Sequence, residues 1–331
     1  MSSAFAHRVT KIIYNKTKRR IIAGALFSSL ILKNSLKHIF PDDFFLPFYG
    51  FASPSLMQAS KLLNQVKRDA GIKPGELHTT PFIARTTDVV SAGFSAFDLG
   101  QSHIGIPCSY FCDSVEEISR MDICKNKNLS RLSLSKPVVF EKIDESEVKL
   151  MKSLLLSDDA KRFAIARHLS YIQRNWAIYQ ALIPSAFVIV GYFTSIYSPK
   201  LLFLRGVPVS LKQILSMVFA GAFLSYILCK LTKAALSRKI NQLADIDAAK
   251  ISPRYAKGGV ELFNKLGETN QSLRVLLGKK GEVMYTADGD VKQGLLKPFD
   301  PVGPSFTDRK KYLNDILLSF SETDHELHKN L

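Results

Sequence analysis

Two short segments of the sequence have the spacing of a metal-binding pair of helices, but with altered residue types. A helix that binds zinc and activates water carries His-Glu-x-x-His, so that both imidazoles face one ion and the carboxylate takes a proton from water. In the segment KRFAIARHLSYI, the corresponding positions hold Arg167, His168 and Tyr171. A third ligand would come from a later helix, where the segment NQLAD places Asn241 at the ligand position and Asp245 one helical turn beyond it.

These residue types remove the chemistry of a metal site. A guanidinium keeps its proton at any ordinary pH, so Arg167 cannot bind zinc and repels it. Tyr171 is a poor replacement for a neutral imidazole, and the amide oxygen of Asn241 is a weak zinc ligand. We therefore expect no catalytic residue, no metal and no cofactor here. Instead, we expect Arg167 to contact Asp245, so that a buried ion pair links the two helices in place of a metal ion.

Other residues with catalytic side chains show weaker patterns. The segment HELH, at His325–His328, has its histidines three positions apart rather than four. His78 and His103 flank predicted strands and are expected to be ordinary surface or structural histidines. No CxxC spacing occurs, so we expect reduced thiols rather than a zinc site. The four cysteines are Cys108, Cys112, Cys124 and Cys229.

The two altered segments are separated by apolar runs that predict a transmembrane helical hairpin. No residue between Arg174 and Lys200 is charged, and about 20 apolar residues suffice to span a bilayer. A second uncharged run extends from Gln213 to Cys229. Both outer flanks therefore lie on the same side of the membrane. They are more basic than the connection between the runs, which favours the matrix or cytoplasmic side.

The positive charge of the chain is concentrated near its N-terminus. Lys and Arg number 45 against 29 Asp and Glu, which gives a net charge of +16. Residues 1–41 contain no acid, and this composition is typical of a mitochondrial targeting sequence or of a basic membrane flank. Residues 21–40 are expected to form either a membrane span or an interfacial anchor. This distribution favours a lipid bilayer over nucleic acid as a partner.

The remaining patterns predict a mainly helical α+β membrane protein with a small β-sheet. Helical spacing covers residues 54–73 and returns from Ser157, where either Ser157 or Asp158 is predicted to cap a helix. Between them, apolar residues interrupted by glycine over residues 78–113 predict a strand pair with a turn near Asp98–Ser102. The segment PVVF, at Pro137–Phe140, predicts a further short strand.

The C-terminal third is predicted to be helical. Gly258 and Gly259 interrupt a helical pattern and are expected to be a packing or hinge point, Asp288–Asp290 a turn, and Thr307–Ser319 a last helix. We predict four regions along the chain. They are a basic targeting or anchor segment (1–40), a soluble part with the strand pair and the altered helix (41–174), the membrane hairpin (175–229) and a helical part (230–331).

Three segments of the chain resemble the transmembrane protein 177 family. They are PFIARTTDVVSAGF…IGIPCSYF, KRFAIARHLSYI and YAKGGVELFNKLGETNQSLRVLLGKKGEVMYTADGD. The resemblance runs from about Phe40 to Pro301. It implies a mitochondrial inner-membrane protein that acts in the assembly and stability of cytochrome c oxidase subunit 2, alongside the membrane chaperone of that subunit.

The order of elements also resembles, more distantly, that of the CAAX-prenyl and heat-shock-type membrane zinc proteases. This resemblance includes PSFTDRKKYL, at Pro304–Leu313, which is similar to their closing segment. It implies a zinc-metalloprotease-like frame. An edge strand near Val89–Phe97 is then either open to an extended peptide or covered by the protein's own loops. The degenerate protease site would consist of Arg167, His168, Tyr171, Asn241 and Asp245.

We therefore expect a non-catalytic mitochondrial inner-membrane protein that binds and stabilises the oxidase subunit and its chaperone. Two alternatives stay open, namely a membrane-embedded metal-dependent protease with an altered site and a plain membrane scaffold without a peptide groove. Stoichiometric zinc in the purified protein would favour the protease. A lack of crosslinks from residues 89–97 to any client would favour the scaffold.

Overall fold

The structure is a computed structural model that describes most of the chain. The described residues are 41–44, 46–51, 53–93, 95, 102–120, 145–204, 210–292 and 303–329, with isolated positions between 21 and 38. Most of the turn predicted near Asp98–Ser102 and the strand predicted at Pro137–Phe140 lie outside the described residues. The same holds for most of the predicted targeting or anchor segment, residues 1–40, including the possible span at residues 21–40.

A four-stranded mixed sheet forms the β part. Its strands are β1 (Gly50–Phe51), β2 (Thr79–Ala84), β3 (Val90–Ala92) and β4 (Ser102–Pro107), in the order β1-β2-β4-β3. The predicted strand pair corresponds to β3 and β4, which run antiparallel with Ser91 opposite Ile104. The parallel pairing of β2 with β4, and β1 on its other side, were not predicted.

Helices account for most of the other described residues. A single 3₁₀ turn, Cys108–Phe111, follows β4. The α-helices are α1 (Pro41–Phe44), α2 (Leu46–Tyr49), α3 (Leu56–Asp69), α4 (Val115–Arg120), α5 (Glu145–Ser153), α6 (Asp158–Gln173), α7 (Trp176–Leu204), α8 (Leu211–Ala249), α9 (Pro253–Leu276), α10 (Lys279–Met284) and α11 (Phe306–Lys329). The last helix is longer than the predicted Thr307–Ser319.

The helix α6, which carries Arg167, His168 and Tyr171, has recognisable sequence features at both of its ends. The Ser157 side chain accepts a hydrogen bond from the backbone N–H of Ala160 at 3.2 Å, which confirms the predicted cap. Two acids, Asp158 and Asp159, lie in the first turn, where the helix dipole favours negative charge. Beyond the end of the helix, Asn175 adopts a positive φ of 52°, and α7 starts at the next residue.

The core of the soluble part forms where α9 packs closely on α6. A Cβ added at Gly258 would lie 2.3 Å from the backbone carbonyl of Asp159, so only glycine allows this approach. The rings of Phe163 and Phe263 meet edge to face at 5.9 Å between centroids. Gly258 and Gly259 are therefore a packing point, as one of the two sequence alternatives predicted. The Asp288–Asp290 turn is also present, with Gly289 at φ 85°.

Two of the described helices, α7 and α8, contain segments that are long and apolar enough to cross a membrane. Within this pair, the Ser225 hydroxyl donates a hydrogen bond to the backbone carbonyl of Phe187. Large apolar side chains face outwards, including Phe219, which is 72% exposed. This pattern is typical of helices that face lipid. The helix α8 continues without a break through Cys229 to Ala249.

The described residues divide into two compact units. One contains the membrane-length helices, over Ala177–Leu236. The other combines Lys37–Trp176, Ser237–Leu295 and Val302–Leu331. All five residues of the candidate site belong to the second unit.

We expect the change Gly258→Ala to destabilise the protein, because its new methyl group would push α9 away from the backbone of α6. Overpacking of this kind costs about 1–3 kcal/mol. Gly267→Ala on the same helix is a matched control, since its Cβ would meet the nearest atom at an ordinary 3.6 Å. Thermal unfolding of the detergent-solubilised protein measures both variants. Equal midpoints for the two would contradict this account of the packing.

Candidate functional site

The structure brings together all five residues that the sequence singled out. Arg167, His168 and Tyr171 lie on α6, and Asn241 and Asp245 lie on α8. The Nη2 atom of Arg167 donates to Oδ1 of Asn241 at 2.7 Å, and its Nε lies 2.9 Å from Oδ1 of Asp245. The predicted ion pair between the two helices is confirmed.

A second arginine, which sequence reasoning did not identify, completes the cluster. Arg309 on α11 donates to both carboxylate oxygens of Asp245, from Nε at 2.7 Å and from Nη2 at 2.6 Å. The hydroxyl of Tyr312 donates to the same carboxylate. The Arg309 guanidinium also lies 3.8 Å from the ring centroid of Phe263, a distance that gives a cation–π interaction. Three helices, α6, α8 and α11, therefore meet at one carboxylate.

The amide of Asn241 joins the remaining polar groups of the cluster. Its Oδ1 accepts hydrogen bonds from Arg167 and from the hydroxyl of Tyr171, the latter at 2.5 Å. Its Nδ2 donates to the backbone carbonyl of Ser237 at 2.8 Å. The side chains of Arg167, Tyr171 and Asn241 therefore bind one another.

The pKa values of Arg167 and Tyr171 are both raised, so both side chains keep their protons at neutral pH. Burial acts to lower the pKa of Arg167, but the neighbouring Tyr171 and Asp245 outweigh it, and this pKa lies above its ordinary value. Burial raises the pKa of Tyr171 to about 12, against the opposing charge of Arg167. At neutral pH, Arg167 is charged and Tyr171 is neutral. Neither can take a proton from water, so these two residues provide no general base.

His168 connects the altered helix to the sheet. Its Nδ1 lies 3.1 Å from the hydroxyl oxygen of Ser91 on β3, and its ring meets that of Tyr171 edge to face. Burial lowers the pKa of His168 well below its ordinary value, and the charges of Arg167 and Arg309 lower it further. The imidazole is therefore neutral at physiological pH and serves as a structural link between α6 and β3.

The edge strand β3 is partly covered by the protein's own side chains. Backbone N–H groups alternate sides along a strand, so those of Val89, Ser91 and Gly93 point in the same direction. The first donates to Oδ1 of Asp88 at 2.8 Å, and the last donates to Nδ1 of His38 at 3.2 Å. Of the two alternatives left open by the sequence, the covered edge is favoured at these flanking positions. Among these three residues, the backbone N–H of Ser91 is the one with which an extended peptide could still pair.

A second polar link between α6 and α8 is more exposed. Asp247 accepts two hydrogen bonds from Arg174, at 2.7 and 2.9 Å, and one from the hydroxyl of Ser170 at 2.5 Å. Burial alone would raise the pKa of Asp247, but the bonds from Arg174 and Ser170 lower it below its ordinary value. This link lies at the end of α6 from which the chain enters α7.

The other candidate residues are not assembled into a site. Over the described part of the chain, no three His, Cys, Asp or Glu side chains are grouped as metal ligands would be. His103 is buried, with its Nε2 at 3.6 Å from Asp42, and His78 is exposed. Cys108 and Cys112 are buried, Cys229 is half-buried, and none of the three forms a disulfide. Cys124 and the side chains of His325–His328 lie outside the described residues.

Comparisons with known proteins agree on one family. The family model described as Transmembrane protein 177 matches residues 64–299. The protein of that name from Homo sapiens is 30% identical over 260 residues, which cover 77% of this chain and 78% of that protein. The one from Rattus norvegicus is 29% identical over the same shares, and the one from Xenopus laevis is 27% identical over 88% of this chain and 91% of its own. No solved structure matches.

We expect Arg167→Ala to destabilise the fold, because it removes one partner of a buried ion pair and leaves the carbonyl oxygen of Asn241 with one donor fewer. The loss should be about 3 kcal/mol, the lower part of the range for such pairs, since Asp245 keeps Arg309. Arg174→Ala is the matched control on the same helix. Its pair with Asp247 is half exposed, so its loss should stay below about 1 kcal/mol. An unchanged thermal midpoint for Arg167→Ala would count against the role of the cluster.

The lowered pKa of His168 predicts that the protein loses stability in acid. Below a pH of about 6.5, the unfolded chain takes up a proton that the folded protein excludes, so acid favours unfolding. Stability should therefore fall as the pH drops below that value, and His168→Gln should reduce the slope. Urea unfolding in detergent across this pH range measures the slope, and a slope that His168→Gln leaves unchanged would contradict the assignment.

Proposed function

Because the chain belongs to the transmembrane protein 177 family, we propose that it is a non-catalytic protein of the mitochondrial inner membrane. It would bind and stabilise cytochrome c oxidase subunit 2 and the membrane chaperone of that subunit during oxidase assembly. The chain is a membrane protein with two candidate spans. Its acid-free N-terminal 41 residues support the mitochondrial location, and its basic outer flanks support a matrix-facing soluble part.

The observation that carries the non-catalytic assignment is the ion cluster around Asp245. A hydrolytic metal site needs neutral or anionic ligands and a base. Here the corresponding positions carry a permanently charged guanidinium, a phenol that keeps its proton and an amide, and these groups are already bonded to one another. This arrangement supports a structural rather than a chemical role for the contact between α6 and α8.

We further propose that the soluble part has a zinc-metalloprotease-like frame that no longer cuts peptides. In support, the contact between His168 and Ser91 places the edge strand β3 directly beside the altered helix. The later helix α8 presents Asn241 and Asp245 to that same helix. A frame of this kind would supply a rigid platform next to a membrane, on which a client can be held without being cleaved.

The covered edge of β3 favours one alternative, a plain membrane scaffold without a peptide groove. Because Asp88 and His38 take two of the three outward N–H groups, an extended client could pair only at Ser91 unless the His38 contact opens. Photo-crosslinkers at residues 89–92 separate these cases. Crosslinks to a client would support a protein that holds an extended peptide at β3. A lack of crosslinks to any client would support the scaffold.

The proposed function predicts that subunit 2 and its chaperone co-purify with the tagged chain from detergent-solubilised mitochondria. A tagged inner-membrane protein with two unrelated spans is the control for unspecific recovery. The same preparation should contain well under one zinc ion per chain. Recovery of neither partner would refute the proposal, and stoichiometric zinc bound at the cluster would revive the protease alternative.

A further inference from the structure

The chain between Asn175 and Asp245 has an unusual charge pattern. It contains no Asp or Glu before Asp245, although it spans both membrane-length helices and the connection between them. Every charged residue in this stretch is basic: Lys200, Arg205, Lys212, Lys230, Lys233, Arg238 and Lys239. A solvated helix face usually mixes both signs of charge. A long stretch of one sign points to a partner of the opposite sign.

Four of these charges follow directly after the uncharged run of α8. The helix is continuous here, and it rises about 1.5 Å per residue. Lys230 and Lys233 therefore lie within about 6 Å of the end of the apolar run, which is about the depth of a lipid headgroup layer. Arg238 and Lys239 lie within about 15 Å, close to the distance over which a charged membrane surface acts.

The side chains around Lys230 have the geometry expected at a membrane surface. The Nζ atom of Lys230 lies 5.6 Å from the ring centroid of Tyr226, one turn earlier on the same face of α8. Tyr226 is 55% exposed and Leu231 is 48% exposed, so exposed apolar side chains flank the lysine along the helix. A lysine in such surroundings keeps its stem against apolar groups and extends its charge to the polar layer.

Three of these lysines have no carboxylate partner among the described residues. Within the described part of the chain, no carboxylate forms an ion pair with Lys230, Lys233 or Lys239. The acids that follow on α8 are committed elsewhere, since Asp245 binds Arg167 and Arg309, and Asp247 binds Arg174. Lys230, Lys233 and Lys239 are therefore the positive charges of α8 that can bind a ligand outside the chain.

We propose that Lys230 and Lys233, with Lys239 further out, bind the phosphate groups of anionic phospholipids where α8 leaves the bilayer. The Tyr226 ring would lie beside the same headgroup, below the lysine charges. This lipid site is independent of the proposed function, because it requires neither the oxidase subunit nor its chaperone. It would fix the depth at which α8 sits in the membrane.

The test uses the full chain in vesicles and a fluorescent reporter next to the site. The chain has a single tryptophan, so the double change Trp176→Phe and Tyr226→Trp places the only indole at residue 226. Quenching by brominated phosphatidylglycerol is compared with quenching by brominated phosphatidylcholine, and the ratio gives the relative binding constant. We expect preferential quenching by the anionic lipid, decreasing about fivefold for each lysine removed in Lys230→Gln and Lys233→Gln.

Matched variants and a free anion make the result decisive. Lys212→Gln, near the other end of α8, should leave the quenching ratio at residue 226 unchanged, and Lys230→Arg should retain the preference. An equal ratio before and after removal of both lysines would overturn the proposal. The proposal would also be overturned if inorganic phosphate in neutral vesicles raised the thermal midpoint of the chain as much as the anionic lipid does. The site would then bind a small anion rather than a lipid.

Discussion

The unit that contains the candidate site depends on the buried carboxylate of Asp245. Asp245 is 0% exposed and lies between two guanidinium groups that come from different helices. An ionised carboxylate without partners would be very costly to bury, so Arg167, Arg309 and Tyr312 together stabilise Asp245 where the helices pack. Their contacts join α6, α8 and α11 at this one residue. Close packing at Gly258 and the aromatic contact of Phe163 with Phe263 then fill the space around it.

The sequence predicted some of these contacts and not others, for physical reasons. The pair of Arg167 with Asp245 could be predicted because both positions belong to one recognisable spacing pattern, in which a cation replaces a metal ligand. Arg309 could not be assigned, because nothing in its local sequence indicates which distant carboxylate it meets. The cap at Ser157 and the turn at Gly289 were predicted because their signals are local.

The sheet shows the same limit. The antiparallel pair β3–β4 was predicted from its pattern of apolar residues and glycines, whereas the parallel partner β2 was missed. Parallel strands are joined by long connections, and β2 meets β4 only after the chain has passed through β3. Asp88 and His38 partly cover the edge of β3, and His38 is far from β3 in the sequence. The sequence could therefore offer a covered edge as one alternative, but it could not decide between the two.

The unbroken course of α8 has a mechanical consequence. One helix carries the apolar residues of the second candidate span, the basic flank and the polar residues Asn241 and Asp245. Successive residues of an α-helix are rotated by about 100°, so inserting a single residue between Asn241 and Asp245 would turn the carboxylate by that angle about the helix axis, away from the face that meets α6. The angle between these two polar side chains is therefore constrained by chain length alone. Along this segment, substitutions should be far better tolerated than insertions or deletions.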